Sequence, residues 1–166
     1  WLAARAPVHP SPDALEVAQD RVEEKRFFRA HGVETAAFAS VMSVDDLRAA
    51  IEVIGLPAIL KTRRFGYDGK GQLYLADPEQ AHGAFELLGG KPCILERVVP
   101  FDRELSILAV RGKDGSVRTW PLVENRHAGG ILRWSQAPAP DLAPAVQQEA
   151  DRVAARLLQA MDYVGV

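Results

Sequence analysis

Residues 58–72 read Ala58-Ile59-Leu60-Lys61-Thr62-Arg63-Arg64-Phe65-Gly66-Tyr67-Asp68-Gly69-Lys70-Gly71-Gln72, and how this stretch is parsed decides the fold. An apolar run at 58–60 ends in the cations Lys61, Arg63 and Arg64. A loop with glycines at 66, 69 and 71 follows, and alternation resumes at Gln72-Leu73-Tyr74-Leu75. The pattern predicts strand, loop, strand. Glycines can adopt positive φ and turn successive N–H groups toward an anion, and the neighbouring cations add charge, so the stretch suits a polyphosphate. The same residues also suit a plain solvated hairpin, because Asp68-Gly69 is a strong turn signal. A Walker loop is excluded, since no Gly-Lys-Ser/Thr is present and no helix follows; a dinucleotide fingerprint fails for want of that helix.

Upstream, residues 1–12 are broken by prolines and read as a connector, with Ser11 or Asp13 capping a short turn at 14–17. A helix is expected from about Ala18 to His31, stopped by Gly32, with Arg21 and Lys25 on one face as ligands or as solvated cations. A strand at 33–40 leads to Ser43 and Asp46, which resemble a capping box for a second helix with Leu47, Ala50, Ile51 and Ile54 at helical spacing and Gly55 at its end. Downstream of the glycine loop, Asp77-Pro78 opens a third helix to about Leu88, and 92–98 is a further strand. The order β-α-β-β-α-β predicts an α+β lobe with two helices on one sheet face and the glycine loop at the tip of the central hairpin.

Past Pro100 the pattern changes to longer strands at 104–111, 117–124 and 130–136, the first of them covered on both faces. Asp114-Gly115 turns the first into the second, and a loop holding His127 and Gly129 joins the second to the third. A long helix follows, with Val146, Ala150, Val153, Leu157 and Met161 on one seam. The expected organisation is a connector at 1–18, a small lobe at 19–99 and the first part of a second lobe at 100–166. The chain starts at Trp1 and stops at Tyr163-Val164-Gly165-Val166, which reads as the opening of a strand without a partner, so a segment of a longer protein is expected.

With 166 residues, 48% of them hydrophobic, the chain can bury a substantial core. A net charge of −2 argues against a dedicated nucleic-acid binder, which carries a strongly basic face. The single cysteine, Cys93, lies in an apolar run and reads as a buried thiol, which fits a reducing compartment. No run is long enough to span a membrane, and residues 1–10 lack the apolar core of a signal peptide; a cytoplasmic protein is expected.

Two lobes joined near 98–102 make a cleft, and the strand Leu95-Glu96-Arg97-Val98-Val99 runs into the joint. Extended backbone there can offer a C=O and an N–H to a purine edge, and Glu104 can accept from a ribose diol. Glu96 and Glu104 can equally be surface acids at strand ends. His127 has no carboxylate partner and no second metal ligand in its local sequence, and the chain has no nucleophile elbow, HExxH or paired zinc cysteines.

A set of motifs in order, Asp20-Arg21 with Glu24-Lys25, Ile59-Leu60-Lys61, Gly66-Tyr67-Asp68-Gly69-Lys70-Gly71-Gln72, Glu96-Arg97-Val98-Val99, Arg103-Glu104-Leu105-Ser106, Pro121-Leu122-Val123-Glu124-Asn125 with His127, and Gly130-Ile131-Leu132-Arg133, resembles the N5-carboxyaminoimidazole ribonucleotide synthases, ATP-grasp enzymes of purine biosynthesis. The resemblance runs from about Pro10 to Val166, and GYDGKGQ is its specific part. It implies an ATP-grasp fold, with the nucleotide site between two lobes and the chain incomplete at both ends. It also implies ATP-dependent carboxylation of 5-aminoimidazole ribonucleotide with bicarbonate through carboxyphosphate. Arg21 and Lys61 would contact ATP phosphates beneath a flap at 66–72, which comprises Gly66, Tyr67, Asp68, Gly69, Lys70, Gly71 and Gln72. Glu96, Arg97, Val98 and Val99 would line adenine mainly through backbone, Glu104 would bind ribose, and His127 would face the nucleotide. Lys61, Tyr67 and Lys70 would serve the chemistry, with Tyr67 and Lys70 reaching the ribonucleotide. Magnesium would be held by acidic residues beyond residue 166, with none of its ligands in this chain, and the parent would be a homodimer. On that reading the isolated segment binds nucleotide weakly and does not turn over. The alternatives are an ATP-grasp ligase or carboxylase with another acceptor, and a nucleotide-binding module without catalysis.

Overall fold

The computed structural model describes residues 5–66 and 70–166, and at His82 the backbone alone. The chain divides into two compact units, one of Gln19–Arg29 with Glu34–Pro100, the other of Trp1–Ala18, Ala30–Val33 and Phe101–Val166. Among the described residues no helix is long and apolar enough to cross a membrane.

The unit holding the glycine loop is built on an antiparallel sheet of β1 (Phe38–Val41), β2 (Ala58–Thr62), β3 (Gln72–Leu75) and β4 (Cys93–Arg97), in the order β1-β4-β2-β3. Helices α3 (Val44–Ile54) and α4 (Ala81–Leu87) cover one face, so the expected β-α-β-β-α-β order with two helices on one face is what the chain forms. Alternation explains the packing. Ala58 and Leu60 of β2 and Cys93 and Leu95 of β4 point to that face and join Leu47, Ile51 and Phe85 in the core, while Lys61, Ile94 and Glu96 point to the other.

Local signals start and stop these helices. The Ser43 hydroxyl accepts from Asp46 N at 3.1 Å, and Asp46 in turn accepts from Met42 N, one residue short of a true capping box. Gly55 closes α3 at φ 75°. The third helix is split: Asp77 and Gln80 form a capping box around a 3₁₀ turn at Pro78–Gln80, and α4 continues from it.

The short turn expected at 14–17 is a full helix, α1 (Pro12–Gln19), with Ser11 Oγ accepting from Ala14 N at 3.1 Å, and the helix expected from about Ala18 starts only at Arg21 as α2 (Arg21–Ala30), because Asp20 accepts from Val22 N at 3.0 Å as its cap. The strand expected from Val33 starts only at Phe38.

In the other unit β5 (Glu104–Ser106), β8 (Val123–Ala128) and β9 (Ile131–Gln136) form one sheet in the order β5-β8-β9, and β6 (Ala109–Arg111) pairs with β7 (Val117–Thr119) in a hairpin. The expected strands 104–111 and 117–124 are therefore each divided between two sheets. Leu108, at one break, is half exposed rather than covered. Helix α5 (Pro144–Ala160) keeps Ala150, Val153, Leu157 and Met161 of the expected seam half-buried, with Val146 exposed and its most buried residue at Ala154, beside the seam. The end of the chain does find a partner, since Gly165 and Arg111 exchange N–H···O bonds of 3.0 Å.

Candidate functional site: a cationic sheet face and a glutamate–histidine pair

The hairpin β2–β3 places the glycine loop as expected, with Lys61 opposite Gln72 at its root and Thr62 N donating to Gly71 O at 2.9 Å. Gly71 has φ 74°, and a Cβ there would lie 2.9 Å from Thr62 Oγ1, so this end of the loop requires glycine. Tyr67, Asp68 and Gly69 lie outside the described residues, and Lys70 is exposed.

On the sheet face away from α3 and α4, three cations converge. Arg21, at the start of α2, donates from Nη1 to Thr62 O at 3.2 Å and to Arg63 O at 3.4 Å, with Nη2 against Gly66. Lys61 Nζ lies 2.8 Å from Glu96 Oε2, and Lys25 Nζ lies 3.6 Å from Glu96 Oε1. Register makes this possible: Ile59 faces Glu96 across the ladder, so Lys61, two residues on, is the diagonal neighbour of Glu96. Arg21 and Lys25 share a helix face one turn apart. Glu24, beside them, has its carboxyl pushed above the usual range by burial; Lys25 and Arg21 oppose this and Glu96 adds to it.

Not every cation expected at the loop is available there. Arg63 Nη2 lies 2.9 Å and Arg64 Nε 3.2 Å from Asp20 Oδ2, and Arg63 also reaches Glu23 at 3.3 Å. Burial alone would raise the Asp20 pKa, but hydrogen bonds from Arg63, Arg64 and Val22 N more than reverse that and hold it below the usual value. These two arginines are fasteners between α2 and the loop root.

Along β4, Arg97 N donates to Ala37 O at 2.9 Å and Val98 N to Pro57 O at 3.1 Å, so neither N–H is open to a purine. The Arg97 guanidinium donates to Ile54 O at 2.9 Å, at the end of α3, while Val99 is exposed.

In the other unit, a concavity of about 430 Å³ is lined by Phe101, Arg103, Glu104, Glu124, Arg126 and His127. His127 is on β8, not in a loop as expected, and it does have a carboxylate partner: its Nδ1 lies 3.0 Å from Glu104 Oε2. Glu104 pairs with Asn125, two residues before His127 and on the same face of β8, so the ladder sets the pair. Arg103 bonds the neighbouring Glu124 and keeps that carboxyl below the usual range, with Arg126 assisting. Beneath, Asn125 is buried between the hydroxyls of Ser106 and Ser135.

Chemically, the first face offers positive charge set on a rigid sheet and helix, the requirement for holding phosphates. The second offers a hydrogen-bond-accepting carboxylate fixed by an imidazole. Asp20, Glu24, Lys25 and Arg103 stand in the quoted motifs, but the sequence assigned no site role to Asp20, Glu24 or Arg103. Lys25 was visible as a face-mate of Arg21, but its link to Glu96 depends on a contact across 71 positions.

The chain is 48% identical over 166 residues to N5-carboxyaminoimidazole ribonucleotide synthase from Pseudomonas aeruginosa, covering 100% of this chain and 45% of that protein. It superposes with a TM-score of 0.89 on a crystal structure of N5-carboxyaminoimidazole ribonucleotide synthetase from Thermus thermophilus, at 51% identity, covering 98% of this chain and 43% of that one. A structure of N5-carboxyaminoimidazole synthase from Aspergillus clavatus in complex with ADP and 5-aminoimidazole ribonucleotide gives a TM-score of 0.87 at 25% identity, with 99% and 42% covered. The chain thus spans less than half the length of each of these relatives. The ATP-grasp domain family matches residues 26–166, and by this measure, together with its α+β fold, the chain belongs to the ATP-grasp family.

Proposed function

We propose that the chain is the nucleotide-binding part of an N5-carboxyaminoimidazole ribonucleotide synthase. The observation that carries this reading is the convergence of Arg21, Lys25 and Lys61 on one sheet face at the root of the glycine loop. Arg21 and Lys61 bind ATP phosphates, and the loop at 66–72, with Gly66, Tyr67, Asp68, Gly69, Lys70, Gly71 and Gln72, closes over them. Adenine lies along Glu96, Arg97, Val98 and Val99, with Val99 supplying the N–H, because those of Arg97 and Val98 are already taken. Glu104, steadied by His127, accepts from the ribose hydroxyls.

Bicarbonate oxygen attacks the γ-phosphorus, ADP leaves, and carboxyphosphate forms. The exocyclic amine of 5-aminoimidazole ribonucleotide then attacks the carboxyl carbon, releasing phosphate and a proton. Lys61 counters charge on the transferring phosphoryl group, and Tyr67 and Lys70 reach the ribonucleotide from the closed loop while water is kept from the labile mixed anhydride. Among the described residues no group of three or more His, Cys, Asp or Glu side chains could hold a metal ion. A cytoplasmic location and a homodimeric parent belong to the same reading.

Phosphate release from ATP by the full-length protein in bicarbonate buffer tests it. Release is expected to depend on 5-aminoimidazole ribonucleotide, and Lys61→Ala is expected to lower kcat/KM about a hundredfold or more. Release indifferent to the ribonucleotide would keep the nucleotide site and assign it to another acceptor.

A further inference from the structure

Glu96 retains 8% of its surface, and its two carboxylate oxygens are divided between two lysines from different elements. Lys61 of β2 takes Oε2 at 2.8 Å and Lys25 of α2 stands 3.6 Å from Oε1. A carboxylate this buried requires a cation, and one is enough to balance it. The second is in surplus. Lys61 is the nearer partner and also stands at the root of the glycine loop, so its ammonium must leave Glu96 to meet a phosphate. Arg21 is not placed to replace it, since its Nη1 is held by the carbonyls of Thr62 and Arg63.

We infer that Lys25 is the counter-cation that keeps Glu96 paired when Lys61 turns to the nucleotide, so that one buried carboxylate is handed from one lysine to the other. Lys25 is a positioning residue in this scheme and touches no substrate. Glu24, next to it on α2, is the weaker claimant on its charge, because burial already disfavours the ionised Glu24 carboxyl. Without Lys25, each nucleotide bound would strip a buried carboxylate of its remaining partner, and Lys61 would be locked to Glu96 instead. The inference rests on the proposed contact between Lys61 and phosphate.

Calorimetric titration of ADP into the full-length protein and its variants tests the handover. Lys25→Met is expected to weaken binding about tenfold or more in the wild-type background. In a Glu96→Gln background, where a neutral amide needs no counter-cation, the same change is expected to cost less than about twofold. Lys25→Arg, which keeps the charge, is expected to retain affinity. Equal weakening in both backgrounds would mean that Lys25 meets the nucleotide itself, and no weakening in either would mean that Glu96 needs no second cation; both overturn the inference. An unaltered affinity in Lys61→Ala would instead remove the phosphate contact on which the handover depends.

Discussion

Asp20 illustrates how a single buried charge can be read from its partners. Two arginines and a backbone N–H converge on it, and its carboxyl is held below the usual range despite burial. A depressed carboxylate stabilises the fold fully above the unfolded value and loses that contribution as pH falls through the folded one. Asp20→Asn is therefore expected to lower stability at neutral pH by about 1–3 kcal/mol, since it leaves Arg63 with only its 3.3 Å contact to Glu23 and takes from Arg64 its carboxylate. Denaturant titrations across pH should show the gap to wild type closing in acid, below the usual carboxylate range; a gap that does not change with pH would refute the assignment. The residue types at the site were legible in the sequence, but their partners were not. Lys61, Arg63 and Arg64 sit within four positions of one another, yet the first faces Glu96 and the others face Asp20. That division is made by partners remote in sequence, Glu96 lying 35 positions from Lys61 and Asp20 lying 43 positions from Arg63.

Helices and strands of the glycine-loop unit were readable because caps and alternation agree there. Gly55 is the clearest stop: its φ of 75° and ψ of 173° lie where only glycine is comfortable, its N–H closes onto Ile51 O at 2.8 Å, and a Cβ would stand 2.3 Å from Arg97 Nη1. Gly55→Ala is expected to cost about 1–3 kcal/mol from the backbone, with a further loss as Arg97 is pushed off Ile54 O. A lowered melting temperature with unchanged sheet circular dichroism checks this, and an unchanged melting temperature would contradict it. The other unit was less legible. Alternation through 104–111 reports which side chains alternate, not which strand each half pairs with, and Ser106 bonds into one ladder while Ala109 enters another. The Glu104–His127 pair was hidden for the same reason, since it depends on the register between β5 and β8 and leaves no local pattern.

For the molecule as a whole, the architecture followed from the order of elements, and the strand order did not. Cys93 reports on that architecture: it is fully buried on β4, and burial pushes its thiol up to about 11. Alkylation at mild alkaline pH is expected to be slow in the native protein and to accelerate with the denaturant transition of its unit, as opening of the sheet exposes the thiol. Fast labelling without denaturant would show that the sheet is not closed around β4. In this sheet β4, the last strand to be made, lies between β1 and β2 and pairs with both along nearly their whole lengths. During synthesis, β1 and β2 leave the ribosome with nothing to join them, and the two edges that will receive β4 stay open until about residue 97 has emerged. A nascent chain halted just before Cys93 would carry the hairpin and both of its covering helices but no sheet to cover. Such a chain presents open strand edges and uncovered apolar faces, the kind of surface that favours aggregation, until the five-residue β4 closes the sheet.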